Sequence, residues 1–280
     1  MLQKLLLLAI CTLLLSGQGT SARAEQEVLR IAGSTTVYPV TRRIARKFQQ
    51  LHPDVEVIVT AGGSVQGISA LLDRSADIAN SSRFISQEEL SRAFSSGTYP
   101  VPFRIADDCI LPIVHNSNRV KNLELDQLRA IYAGEITNWR EVGGSDLAIQ
   151  VLSRDATSGT FGVWRDLVMQ GDEVLQNQPL QESSDDMVRK VSRERGAIGY
   201  IGLGNLSATV KPLRVNGVMG SIYSVRNGSY LINRPLFMFT RGWPEGRALQ
   251  FINYATDPDR GQMIIEEMGF VSLYSHRHNH

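Results

Sequence analysis

The sequence predicts an α/β protein built as two lobes that extended crossover segments join. Short apolar runs are repeatedly followed by apolar residues at helical spacing, so strand and helix signals alternate along the chain. This alternation favours mostly parallel sheets with helices packed against them. No internal repeat and no Pro/Gly-rich linker divides the chain, which disfavours two domains in tandem.

The first strand–helix unit sets the pattern. Residues 28–32 form an apolar strand, and Val37, Val40, Ile44 and Phe48 then recur at helical spacing. Further strands are predicted at residues 55–61, 77–80, 103–115, 149–152, 197–201, 210–215 and 235–240. Further helices are predicted at residues 65–72, 125–132, 185–194, 247–254 and 260–268. Two more are predicted by their start only: one begins at the capping box of Ser86 and Glu89, and the other begins at Phe161.

Two extended stretches determine the predicted division into lobes. Residues 103–115 and 210–215 are the places where the chain could cross between lobes. We therefore expect residues 25–112 and 213–280 to form one lobe, and residues 113–212 to form the other.

The N-terminus carries the features of a cleaved secretory signal peptide. Lys4 precedes an apolar run at residues 5–15 that is too short to span a membrane. Ala22 and Ala24 satisfy the small-x-small rule for cleavage after residue 24. Residues 1–24 are thus the predicted signal peptide, and the mature protein is expected in the periplasm. Ile10 before Cys11 disfavours a lipoprotein signal.

The charge and cysteine content narrow the classes of partner. The formal net charge is +1, with 29 Lys and Arg against 28 Asp and Glu interspersed along the chain. Such a balance argues against nucleic-acid binding and favours a small ligand or a protein partner. After cleavage Cys109 is the only thiol, so no intramolecular disulfide can form. No cofactor is predicted.

Clusters of Gly, Ser and Thr follow apolar strands at four places and stand where a helix begins. Helix N-termini present unpaired N–H groups and a partial positive charge, and hydroxyls add rotatable donors. In open α/β sheets, ligands bind at the carboxyl ends of the strands, where these clusters fall. The clusters are 33–36, 62–64, 80–83 and 157–160. Their recurrence favours an anion site, although each cluster could be an ordinary helix N-cap.

Charged side chains accompany two of the clusters. Arg154 ends a strand four residues before Ser158, and its guanidinium could bind an oxyanion through two donors. An exposed pair with Asp155 is the alternative. Arg83 follows the third cluster and could equally form a structural ion pair at a helix start.

Motifs for catalysis are missing from the sequence. Gly-x-Ser-x-Gly, His-Glu-x-x-His, the Walker A pattern and Gly-x-Gly-x-x-Gly do not occur. His52 and His115 are isolated in sequence, and His276, His278 and His280 lie in a C-terminal tail. Neither an enzyme nor a metal site is therefore predicted.

Across nearly all of the mature chain, the sequence resembles the phosphate-binding proteins of bacterial phosphate ABC importers. The resemblance rests on six stretches, at residues 32–37, 62–65, 76–83, 136–139, 154–160 and 196–200. It implies a type II periplasmic-binding-protein fold, with an anion held between two lobes, and an ABC permease as partner of a monomer. It also implies that Ser34, Thr35, Thr36, Ser64 and Ser82 contact the anion from one lobe. Arg154, Ser158, Gly159 and Thr160 would close from the other lobe, and Arg83 is a further candidate.

One position departs from the pattern of this family. Better-known members carry a carboxylate about where Ser82 stands, and that carboxylate accepts the proton of phosphate. Here a hydroxyl, a backbone carbonyl or Asp155 would have to accept it. The alternatives to a phosphate receptor are a receptor for sulfate, molybdate or tungstate, an enzyme acting on phosphate esters, and a sensor or adhesion module.

Overall fold

The computed structural model describes residues 26–175 and 179–274. The predicted signal peptide and the three C-terminal histidines lie outside the described residues. The strands are β1 Glu27–Gly33, β2 Val55–Ala61, β3 Ile78–Ser81, β4 Pro100–His115, β5 Asn122–Leu123, β6 Gln150–Val151, β7 Ala197–Gly202, β8 Val210–Pro212, β9 Arg214–Val215 and β10 Asn233–Arg241. The helices are α1 Tyr38–Leu51, α2 Ser64–Leu72, α3 Gln87–Ser95, α4 Leu125–Ala133, α5 Gly159–Trp164, α6 Ser184–Val191, α7 Ile222–Arg226, α8 Gly246–Thr256 and α9 Gly261–Glu267.

The predicted elements are present with small shifts at their ends. Helix α5 begins at Gly159, two residues earlier than expected, because the Ser158 hydroxyl accepts the Phe161 N–H and caps the helix. A π-helical segment at Arg165–Met169 continues it. Helix α7 was not predicted, because five residues are too few to show helical periodicity. None of the helices described, from α1 to α9, combines the length and apolar character that a membrane crossing requires.

Within the described residues, the main sheet has the strand order β2-β1-β3-β10-β4-β7-β6, with β8 paired to β4. Strand β1 pairs in parallel with β2 and β3, and β6 pairs in parallel with β7, as the strand–helix alternation predicts. Strands β4 and β10 run antiparallel to each other and to their outer neighbours β7 and β3. These two long strands therefore join the parallel parts of the sheet.

The buried apolar residues gather on either side of these two strands. What we call the first core consists of two clusters that pack on β1, β2 and β3: one includes Ile105 and Leu236, and the other includes Ile68 and Phe237. The second core packs around β6, β7 and α4 and includes Cys109 and Ile232. Strand β4 changes core between residues 106 and 109, and the chain returns between residues 232 and 236.

The predicted lobe ranges, 25–112 with 213–280 and 113–212, stay a prediction. The core packing favours different ends for them, because Cys109, Leu213 and Tyr230 all lie in the second core. The segment 213–232 packs on the second core before β10 crosses to the first core. The extended pattern of residues 210–215 does not reveal this return.

Gly33 lets the end of β1 lie close to β3. Its φ is +134°, and an added Cβ would overlap the Asn80 carbonyl oxygen. The same residue lies against Gly67 of α2, which packs on β1 at this point. A side chain at residue 33 would therefore separate β1 from both neighbours.

We expect Gly33→Ala to lower the free energy of unfolding by more than Gly97→Ala. Gly97 also has a positive φ, of +68°, but no atom within 4 Å of an added Cβ. An unfavourable backbone conformation costs on the order of 1–3 kcal/mol, and Gly33→Ala adds a steric overlap to it. Urea unfolding of both variants measures the difference. Equal losses would show that the close approach of β1 and β3 is unimportant.

Candidate functional site

The Gly, Ser and Thr clusters meet between the two cores. Strands β1, β2, β3 and β6 each end at a cluster or shortly before one, and α1, α2 and α5 begin there. Eight of the ten predicted site residues are buried. They are Ser34, Thr36, Ser64, Ser82, Arg154, Ser158, Gly159 and Thr160.

The turn between β1 and α1 is held by Ser34. The Ser34 hydroxyl accepts the N–H groups of Thr36 at 3.2 Å and Val37 at 3.4 Å. The Ser34 N–H donates to the Asn80 carbonyl at 3.0 Å, which ties the turn to β3. Ser34 thus shapes the turn, and Thr35 at its tip is only partly buried.

Ser64 and Ser82 form one wall of the site. Their hydroxyl oxygens lie 3.4 Å apart, and the Ser64 hydroxyl accepts the Ser82 N–H at 3.1 Å. Gly159 of α5 packs directly against both, because an added Cβ would overlap the Ser64 hydroxyl and lie 2.6 Å from the Ser82 hydroxyl. The Val65 N–H also donates to the Thr157 carbonyl at 3.1 Å. The N-termini of α2 and α5 are therefore in contact across the boundary between the cores.

Arg154 brings a buried positive charge to this boundary. Its Nε donates to the Gln181 carbonyl at 2.7 Å. Its Nη2 donates to the Glu182 carbonyl at 2.8 Å and to the Thr35 hydroxyl at 3.2 Å. Burial lowers the pKa of Arg154, but arginine stays protonated in proteins. In the described part of the chain no carboxylate forms a salt bridge with it.

The N-terminus of helix α5 lies at the same boundary between the cores as Arg154. The Ser158 hydroxyl caps the Phe161 N–H at 3.3 Å. The N–H groups of Gly159 and Thr160 have no acceptor within the helix, as in any first helical turn. Together with Arg154, this end of α5 makes the local potential positive.

The carboxylate of Asp155 is held by its own loop. Its Oδ1 accepts the Thr157 N–H at 2.7 Å and also accepts the Thr157 hydroxyl. Of the two interpretations of Arg154, the alternative of an exposed pair with Asp155 does not match the structure, since Arg154 is buried and donates to two carbonyls and a hydroxyl.

Arg83 is engaged in the structural ion pair that the sequence left open. Its Nη2 lies 2.7 Å and its Nη1 2.8 Å from the two carboxylate oxygens of Glu89. Glu89 also accepts the Ser86 N–H in the predicted capping box of α3. Arg83 lies on the rim of a groove of about 810 Å³ that opens beside the site, between α3 and α5.

Sequence reasoning did not identify Asp108 and Arg234, which lie next to the site. Both are buried, and the Arg234 Nη2 lies 2.8 Å from the Asp108 carboxylate. The signal available was Asp108 inside the predicted strand 103–115 and Arg234 directly before the predicted strand 235–240. Only their pairing across β4 and β10 connects them, and that pairing requires the fold.

Comparison with known proteins agrees with this architecture. Residues 18–259 match the PBP superfamily domain. The phosphate-binding protein PstS of Bacillus subtilis is 30% identical over 258 residues, which cover 90% of this chain and 84% of that protein. PstS of Borreliella burgdorferi is 28% identical, covering 89% of this chain and 91% of that protein.

Solved structures give the same result. A protein from Clostridium perfringens, described as a phosphate ABC transporter substrate-binding protein with bound phosphate, is 31% identical with a TM-score of 0.83, covering 89% of this chain and all of that one. An ABC-type phosphate transport receptor from Vibrio cholerae is 28% identical with a TM-score of 0.69, covering 87% of this chain and 99% of that one.

These similarities extend over nearly the whole described chain, and they include the clusters that form the site. The predicted two-lobed α/β class of the type II periplasmic binding proteins is confirmed. The chain belongs to the PBP superfamily, in the family of the phosphate ABC-transporter substrate-binding proteins.

Proposed function

We propose that this protein captures inorganic phosphate outside the cytoplasm and delivers it to the membrane permease of an ABC importer. The observation that carries the proposal is the buried Arg154, which donates to the Thr35 hydroxyl and has no salt bridge to a carboxylate within the described residues. Burying an unpaired charge is costly, and an anion bound beside it would compensate that cost.

Several neutral donors would complete the coordination of the anion. The hydroxyls of Thr35, Ser64, Ser82 and Thr160 and the first-turn N–H groups of α5 lie along the boundary between the cores and would surround the anion there. The bound phosphate of the Clostridium perfringens protein, at 31% identity, supports this assignment. Because these donors come from both sides of the boundary, a bound anion would favour the closed arrangement.

The proposed mechanism is binding with hinge closure, and the relatives are named phosphate-binding proteins. Phosphate would first meet the first core at Thr35, Ser64 and Ser82. Closure about the segments at residues 106–109 and 232–236 would then bring Arg154 and α5 onto it. In the described ranges 26–175 and 179–274, no group of three or more His, Cys, Asp or Glu side chains could hold a metal.

The cellular location and assembly are part of the proposal. The predicted cleavage after residue 24 would release residues 25–280 into the periplasm. The permease, in the membrane, would receive the closed monomer.

A receptor for another oxyanion is the second candidate. The observation that favours it is Ser82, a neutral hydroxyl where the better-known members have a carboxylate. The nearby carboxylate of Asp155 is held by Thr157. A hydroxyl can donate or accept, so Ser82 would tolerate a protonated or an unprotonated anion.

Isothermal titration of the mature protein with phosphate, arsenate, sulfate and molybdate tests the proposed function. We expect phosphate to bind most tightly. Saturable binding of sulfate or molybdate without phosphate binding would favour the second candidate, and no binding of any oxyanion would contradict both.

We expect Arg154→Ala to weaken phosphate binding more than Ser64→Ala. Loss of a buried charged donor costs about 2–5 kcal/mol, whereas a neutral hydrogen bond contributes about 0.5–1.5 kcal/mol. Titration calorimetry of both variants provides the comparison. Arg165→Ala is the control, because Arg165 lies exposed just after α5 and pairs with Asp166. Equal losses for Arg154→Ala and Ser64→Ala would mean that Arg154 does not bind the anion.

We expect Ser82→Asp to weaken sulfate binding while phosphate still binds. Sulfate brings no proton that the new carboxylate could accept, whereas phosphate at neutral pH brings at least one. A buried donor without an acceptor costs about 1–3 kcal/mol, so phosphate needs an acceptor in the site. In the wild type, we expect the preference for phosphate over sulfate to be smaller than a carboxylate would give. Competition titrations at neutral pH measure this preference.

The variant Asp155→Asn tests whether the Asp155 carboxylate accepts the proton of phosphate. If the wild type already excludes sulfate and Asp155→Asn changes nothing, neither Ser82 nor Asp155 governs the selectivity. The acceptor of the phosphate proton must then be another group.

A further inference from the structure

Asp108 and Arg234 form a buried ion pair at the place where the chain crosses between the cores. They are paired residues of the antiparallel strands β4 and β10. The side chains are 0% and 2% exposed, and Arg234 Nε and Nη2 lie 3.1 and 2.8 Å from Asp108 Oδ2. The Leu203 N–H donates to the other oxygen of Asp108 at 2.8 Å. An added Cβ on Gly202 would overlap Asp108, so the glycine makes room for the pair.

Arg234 also donates to two predicted site residues that belong to opposite sides of the boundary. Its Nη1 lies 2.9 Å from the hydroxyl of Thr160 in α5, and its Nη2 lies 3.4 Å from the hydroxyl of Thr36 before α1. The two hydroxyl oxygens are 3.1 Å apart. One guanidinium therefore connects the N-terminal regions of α1 and α5 through their hydroxyls.

These bonds determine what the two hydroxyls can offer to a ligand. Each hydroxyl has one hydrogen and two acceptor positions, and each oxygen accepts from Arg234. One of the two also donates to the other, so the oxygen that receives this bond has both acceptor positions filled. The hydrogen on that oxygen remains for another acceptor. Whichever hydroxyl donates to the other, one O–H of the pair stays free. This O–H can donate to a ligand oxygen that carries no hydrogen.

Arg234 donates to the two hydroxyls without adding net charge to the site, because its partner is a carboxylate. Asp108 compensates the guanidinium, so the net positive charge of the site comes from Arg154. Replacement of a buried ion pair by apolar residues is often neutral for stability. The pair is therefore better explained by its geometry than by a gain in stability.

We propose that Arg234, held by Asp108, is a positioning residue that links the two sides of the site in the closed state and orients the Thr36–Thr160 hydroxyl pair so that it presents one O–H donor to the anion. This inference rests on the proposed function for the nature of the ligand. The linkage itself needs no ligand.

The test replaces both charges at once, since Arg234→Ala alone would leave Asp108 buried and unpaired. In the double variant Arg234→Met/Asp108→Leu, we expect the Kd for phosphate to rise by about tenfold or more, within the range of couplings between residues in contact. Thr160→Val should weaken binding in the wild type but have much less effect in the double variant. Thermal melting of each variant shows whether it is folded.

The matched control is Arg104→Gln/Asp107→Asn. This pair lies on β4 directly before Asp108 but is more exposed, at 55% and 20%. We expect wild-type phosphate binding. If the double variant at residues 108 and 234 also binds phosphate as the wild type does, or if its loss is simply additive with Thr160→Val, the inference is wrong.

A ligand-free measurement separates this inference from the proposed function. Spin labels on Ser95→Cys and Arg195→Cys, both exposed positions, report the distance between α3 and the start of β7; Cys109 is buried. Without phosphate, we expect the double variant to show a broader distribution with longer distances. A wild type that binds no phosphate would contradict the proposed function alone. An unchanged distribution would overturn the inference.

Discussion

The ion pair between Asp108 and Arg234 stands where the two long antiparallel strands pass from one core to the other. The first core lies on one side of it and the second core on the other. The bonds that Arg234 makes to Thr36 and Thr160 fix how α1 and α5 face each other. The geometry of the site thus depends on a pair of charges that strand pairing aligns and that Gly202 leaves room for.

The charge distribution around this pair suits the capture of an anion. Arg234 is compensated by a carboxylate, whereas Arg154 donates to two carbonyls and a hydroxyl. The guanidinium that has no salt bridge within the described ranges therefore lies on the side of the second core, next to the N-terminus of α5. The first core contributes neutral hydroxyls. The two kinds of group meet at the boundary between the cores, so one anion at this boundary would contact both.

Most of the helices and strands could be predicted, because the signals for them lie in residues that are close in sequence. The apolar spacing of residues 37–51 and the capping box at Ser86 report a helix without any knowledge of its neighbours. The antiparallel pairing of β4 with β10 and the return of residues 213–232 along the second core depend on which strands become neighbours, and no local pattern encodes that choice. The short α7 fell below the length that periodicity can detect.

The same division holds for the site. By itself, the sequence determined that Gly, Ser and Thr follow the strands at the starts of helices, because the residue types that cap helices and allow close backbone approach are visible locally. Only the tertiary structure decided how the arginines are used. Arg83 pairs with Glu89, Arg154 is buried beside Thr35, and Arg234 joins the site from a strand more than 70 residues away. The physical reason is that the partners of a long charged side chain are set by which groups the fold buries around it, and the chain brings those groups together only once its strands have paired.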